Sequence, residues 1–261
     1  MISWDNFNWF AIATLACWVS AFVLLLISHK TRLGLLLTAL GFVIFGTFIT
    51  LLWINLERPP MRTMGETRLW YSFFIVLVGS VIYAKWRYRW MLSYSLFVAM
   101  IFVIINIVKP EIHSKNLMPA LQSVWFVPHV TAYILSYAIL GAATIVGIKQ
   151  LYKFNKNDDE NLLEFTDNLV YVGFGLLMLG MLMGAVWAKA AWGHYWSWDP
   201  KETWAFVTAA AYLFYIHIRW NIKYRKIALW MLIFAFLCLM ITWKGVNYLP
   251  SAKNSVHVYG Q

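Results

Sequence analysis

The sequence predicts an all-α fold, a polytopic membrane helical bundle of about eight transmembrane helices, and three observations predict it. Hydrophobic residues make up 62% of the chain and charged residues 12%, a balance outside the range of soluble globular domains. Apolar runs recur along all 261 residues, several of them as long as the roughly 20 residues that cross about 30 Å of hydrocarbon. The longest polar connections between the runs are only some fifteen residues, too short for a folded aqueous domain, so one integral membrane domain over 1–261 is expected.

Taken in order, the expected spans are 7–28, 33–54, 69–84, 90–108, 127–151, 169–189, 204–220 and 227–243. The first lacks a basic start and runs on too long to be a removable signal peptide. Between the second and third lies 57–68, ERPPMRTMGETR, a short loop with a proline pair and Glu66 just before the next span. The third and seventh spans are short. A polar connection at 153–168 separates the fifth from the sixth; its acidic run Asp158, Asp159, Glu160 reads as a solvated turn. The seventh has a legible start: Asp199 is a good N-cap, Pro200 suits the first turn, and Glu202 stands three after the cap. Cys17 and Cys238 lie singly inside apolar runs with no C-x-x-C, and read as small core residues.

A net charge of +10 could suggest nucleic acid, but the basic residues sit at span ends. Lys30 and Arg32; Lys85, Arg87 and Arg89; Lys149, Lys153 and Lys156; and Arg219, Lys223, Arg225 and Lys226 hold twelve of the twenty-one Lys and Arg. The positive-inside rule places those four clusters in the cytoplasm. Both termini, the 109–126 connection and the 190–203 loop are then extracytoplasmic.

That last loop is the most distinctive stretch. Residues 192–204 read WGHYWSWDPKETW: four Trp, one Tyr and one His around Asp199, Lys201 and Glu202. Indoles commonly anchor a helix at the membrane surface, because the ring is apolar and its N–H is not. Trp192, Trp196 and Trp198 within seven residues exceed what anchoring needs, and suit a large planar ligand at the membrane face. Helix starting alone would account for Asp199 and Glu202.

Imidazole is a common axial ligand of haem iron. Of six histidines, His129 falls at the start of the fifth span on the side of the Trp loop, and His257 in the tail on the same side. Together they flank the loop in sequence and form a candidate clamp; singly, each reads as an interfacial or solvated residue. His217 lies thirteen residues into the seventh span, about 20 Å from its outer end at 1.5 Å per residue. An ionisable group at that depth is costly and marks a functional candidate. His194 reads as a bystander in the motif, and His29 and His113 as solvated.

The ungapped pattern W-G-x-x-W-x-W-D-x-K-E, carried by Trp192, Gly193, Trp196, Trp198, Asp199, Lys201 and Glu202, resembles the tryptophan-rich signature of membrane proteins that handle haem for c-type cytochromes. The chain is similar to the CcsA (ResC) family, the membrane subunit of the system II cytochrome c synthase, most specifically from the fifth span onward, about 125–261. The resemblance implies haem b as the bound substrate, with the Trp loop against the porphyrin. It implies His129 and His257 as outer axial ligands and His217 as ligand of an inner haem site. It also implies a CcsB (ResB)-like membrane partner supplying a second inner His, and apocytochrome c CxxCH segments as acceptors of the haem.

Two other readings stand beside it. A system I CcmC-like haem exporter shares the Trp motif and two external His but has about six spans and no ligation step. A small-molecule transporter would use the Trp loop only as a belt, and would carry charged or broken helices at mid-membrane. A multi-pass protein of the bacterial cytoplasmic membrane is the simpler location, with the thylakoid as the other.

Overall fold

The computed structural model describes residues 2–28, 30–110, 119–153 and 160–250. Among these there are eight long helices and no strand: α1 (Phe7–Val23, continued by a wider π turn Leu24–Ser28), α2 (Thr31–Leu56), α3 (Met64–Trp86), α4 (Arg89–Val108), α5 (Phe126–Lys153), α6 (Glu160–Trp192), α7 (Pro200–Arg219) and α8 (Arg225–Trp243). Short 3-10 turns stand before α1, before α5, between α7 and α8 and after α8. His29, His113 and His257 fall outside the described residues.

Seven of the helices are long and apolar enough to cross a membrane; α7 is the exception. Its twenty residues reach about 30 Å, but the helix opens with Lys201 and Glu202 and ends with His217 and Arg219. Length is therefore sufficient for the seventh span while composition is not, which fits a helix that needs company rather than lipid around it.

Two boundaries depart from the expectation. α3 begins five residues before 69, because the Thr63 side chain accepts from the N–H of Glu66 while Glu66 accepts from that of Thr63. α6 begins at Glu160, so most of the connection read as 153–168 is helix. Leu162, Leu163 and Phe165 are buried there, and the Gln150 amide on α5 donates to the Leu162 carbonyl and the Thr166 hydroxyl. Packing against α5 thus carries the helix through a polar stretch.

The chain divides into two compact units, one ending at Leu117 and one beginning at Met118. In the first, α1 packs on α2 and α4, and α3 on α4. Its core is aromatic: Phe48 meets Trp4, Phe7 and Phe10 with ring centroids 5.2–5.9 Å apart, and Trp18 meets Phe45. In the second, α5–α6 and α7–α8 are close hairpins, joined mainly where α5 meets α8. α5 is the most enclosed, with 72% of its apolar window buried against 28% for α6. Lipid tails are as apolar as leucine, so what holds such helices together is tight contact and interhelical hydrogen bonds. Gly173 supplies both: its carbonyl takes the Ser136 hydroxyl at 2.7 Å, and the Leu140 side chain fills the space its missing Cβ leaves.

Candidate functional site

The 193–199 loop is built by its own hydrogen bonds. α6 ends at Trp192, and Gly193 turns the chain at φ +86°, a conformation natural to glycine. The Lys189 ammonium donates to the Gly193 carbonyl at 2.7 Å, tying the turn back onto α6. At the far end, Asp199 Oδ1 accepts the N–H groups of Lys201 and Glu202 at 3.0 and 2.9 Å. Glu202 Oε2 returns the favour, accepting from Ser197 N–H at 2.7 Å, Ser197 Oγ–H at 3.2 Å and Asp199 N–H at 3.3 Å. Helix starting therefore engages both carboxylates, and through them it fixes the loop.

What the loop displays is indole. Trp198 is 61% exposed and sits at φ +59°, the left-handed region that bulky side chains avoid at a cost of about 1–3 kcal/mol. The capping network on its C-terminal side and the Thr203 hydroxyl on its carbonyl hold it there. Its ring meets Trp196 and Phe206 edge-on, at 5.7 and 5.6 Å. The indole N–H of Trp196 is enclosed and meets no hydrogen-bond acceptor among the described residues.

A second aromatic group gathers where α5 begins. The His129 ring stacks on Trp187 of α6, with centroids 5.6 Å apart and planes at 26°, and Tyr133 meets it edge-on at 4.6 Å. His129 Nδ1 lies 2.8 Å from the Gly180 carbonyl. A carbonyl only accepts, so the proton is on Nδ1 and the lone pair of the neutral ring is on Nε2. Gly184 makes room for the ring, since a Cβ there would lie 2.7 Å from its atoms. Trp187 is 2% exposed, donates its N–H to the Ala120 carbonyl at 2.8 Å, and meets Trp192 edge-on at 4.8 Å. The structure thus brings two expected residues, His129 and Trp192, onto one buried indole.

His217 belongs elsewhere. It is in the last turn of α7, eighteen residues after Asp199 and so about 27 Å along the helix. Its ring is exposed, leans on Trp220 at 5.7 Å, and donates Nδ1–H to the Leu213 carbonyl at 2.8 Å. In the same part of α7 but on another face, Tyr215 Oη donates to Asp167 of α6 at 2.7 Å and Arg219 pairs with that carboxylate at 3.1 Å, pinning α6 to α7. His194 is exposed and bonds the Trp192 carbonyl. His257, the other half of the expected outer clamp, lies outside the described residues.

Both described candidate ligands have one ring nitrogen held by a backbone carbonyl, the arrangement that commonly orients a metal-bound imidazole. Sequence reading missed Trp187, Gly180 and Gly184. The signal was there: glycines four apart on an apolar helix mark a close approach, and Trp187 lies five residues before the motif.

Comparison with known proteins gives the family. The family model described as cytochrome C assembly protein matches residues 7–252. Proteins named cytochrome c biogenesis protein CcsA are similar to this chain throughout: that of Pyropia yezoensis is 30% identical over 97% of this chain and 95% of its own length, and that of Atropa belladonna 32% over 84% and 82%. That of Mesostigma viride is 34% identical over 57% of this chain, and the match spans 59% of the Mesostigma protein. With its Trp-rich loop inside a match that leaves out only the two ends, this chain belongs to the cytochrome c assembly protein family.

Proposed function

We infer that this chain is the haem-handling membrane subunit of a system II cytochrome c synthase. The observation that carries the reading is the cradle of His129, with its lone pair on Nε2, one buried indole away from a loop that displays Trp198 in a strained conformation. Haem b is the substrate. It is first held at the inner site, where His217 offers Nε2 and a CcsB-like partner supplies the opposing imidazole. The exposed ring of His217, on the one helix too polar to face lipid alone, supports a partner at that surface.

At the outer site His129 and His257 bind the iron from opposite faces, while Trp192, Trp196 and Trp198 pack on the ring. Gly193 and Asp199 fix the loop that carries those indoles. The two cysteine thiols of an apocytochrome CxxCH segment then add across the vinyl groups: each sulfur bonds one vinyl carbon, and its proton goes to the other. The chain's part is to hold vinyl and thiol in reach and to keep water off the ring. The segment's own histidine displaces one protein imidazole, which releases the product. The location is a bacterial cytoplasmic membrane with the Trp loop extracytoplasmic. Lys85, Arg87 and Arg89 at the α3–α4 turn, and Lys223 and Arg225 at the α7–α8 turn, support that sidedness.

The test is the absorption spectrum of the detergent-purified chain, with and without a co-expressed CcsB-like partner. Sharp reduced-haem bands in the wild type, lost or altered in His129→Ala/His257→Ala, are expected. Folded protein with its partner and no haem in any preparation would overturn the reading.

A further inference from the structure

We propose that Trp187 is a positioning residue: it sets the plane of the His129 imidazole and couples that plane to the Trp loop. The inference rests on the haem reading above, but its residues are those of the chain alone. An imidazole on a helix has two torsions to settle, and a ligand bond is directional, so a ring free to turn spends much of its time aimed wrongly. Three contacts from α6 remove that freedom. The Gly180 carbonyl, 2.8 Å from Nδ1, fixes one edge of the ring. Gly184, with no Cβ, lets the ring lie against the α6 backbone. Trp187 stacks on the ring at 26°, and Tyr133, from α5 itself, meets it edge-on.

These residues lie at successive turns of one helix: 180, 184 and 187 are spaced by four and three, so they share the face turned to α5. Trp187 itself cannot drift, because its N–H is tied to the Ala120 carbonyl and it is buried. Its edge contact with Trp192 at 4.8 Å makes it the shared wall between the iron ligand and the first indole of the loop. A ligand that presses on Trp192 therefore presses, through one ring, on the orientation of Nε2.

The full-length chain in detergent serves for the test, with haem added and the variants Trp187→Leu, Trp187→Phe, Gly184→Ala and His129→Ala. Ring nitrogen chemical shifts of the haem-free chain give the His129 tautomer; titration with haem gives the low-spin signal and its affinity. Wild type and Trp187→Phe are expected to keep the Nδ1–H tautomer and the low-spin band. Trp187→Leu and Gly184→Ala are expected to average the tautomer and to weaken low-spin haem binding about tenfold, as loss of a ligand's supporting contact does. The ring nitrogen shifts are read without haem, so they separate a misaimed His129 from a haem site lost elsewhere. If Trp187→Leu fails to fold, Gly184→Ala decides, since it keeps every other side chain of the cradle and only pushes the ring off the α6 backbone, where the added Cβ would come within 2.7 Å of it. Haem binding lost in His129→Ala but unchanged in both cradle variants would overturn the positioning role and leave the function standing. A wild-type chain that takes up no haem would overturn both.

Discussion

Two helices of this protein start with the same device and end up doing different work. At α3 the N-cap is Thr63 and the acidic partner three residues on is Glu66; at α7 they are Asp199 and Glu202. Each glutamate is buried, to 1% and 8% exposure, and each gathers the N–H groups of the loop before it. The difference is in the charge and in what the loop carries. Glu66 is met by both guanidinium nitrogens of Arg58, at 2.8 and 3.0 Å, and its loop packs inward with Met61 buried. Among the described residues no cation pairs with Glu202, and its loop turns Trp198 outward. One capping box closes a connection; the other braces a display. The same local rule thus serves structure or function according to which side chains stand beside it.

Breaking the ion pair should separate the two most strongly. Glu66→Ala leaves Arg58, mostly enclosed, without its counter-charge, and should cost roughly 2–4 kcal/mol of stability. Denaturant unfolding in detergent would show it, and Arg58→Ala/Glu66→Ala should recover part of the loss. Glu202→Gln keeps an acceptor oxygen and strands no cation, so it should cost only about 1 kcal/mol. Equal losses at the two sites would mean that the pairing with Arg58 is not what distinguishes them.

Strain sharpens the contrast next. Glu57 and Arg87 also have positive φ, but they cap the ends of α2 and α3, where a left-handed residue is ordinary. Trp198 stands before a helix start, where nothing in the helix asks for it. Trp198→Gly should therefore stabilise the chain by about 1 kcal/mol through relief of that strain. The same change should weaken haem retention, measured by absorbance after gel filtration. A variant that gains stability and loses ligand would show that the strain is maintained for the display.

The sequence announces some of this and conceals the rest for definable reasons. Apolar run length made the helices legible, and the N-cap of α7 could be read from Asp199, Pro200 and Glu202. The start of α6 could not, because Asn161, Glu164 and Asp167 look like solvent and only Gln150 and the facing side of α5 make them helix. The ungapped Trp motif pointed to the loop, and His129 to the start of α5. Trp187 stayed hidden because an indole inside an apolar run reads as core or belt; its meaning appears only when antiparallel packing sets residue 187 over residue 129. His217 was read as a deep histidine from a span starting at 204, but α7 starts at Pro200 and puts it in the last turn, and its exposure there depends on which face of that helix meets α8.

The smallest effect concerns the hinge of the display. A Cβ on Gly193 would meet nothing within 4 Å, so Gly193→Ala tests conformation alone. At φ +86° an alanine should cost about 1 kcal/mol, and the chain can escape that cost by moving φ to negative values. That escape would swing the Lys189–Gly193 bond and the Trp192–Trp198 segment away from α6, whereas the 197–202 network would persist, because its bonds run within the loop and α7. Tryptophan fluorescence should then shift while the unfolding midpoint barely moves. An unfolding loss of several kcal/mol instead would mean that the turn carries packing as well as direction. The analogous loop before α3, with its proline pair and its ion pair, has no such pivot to lose.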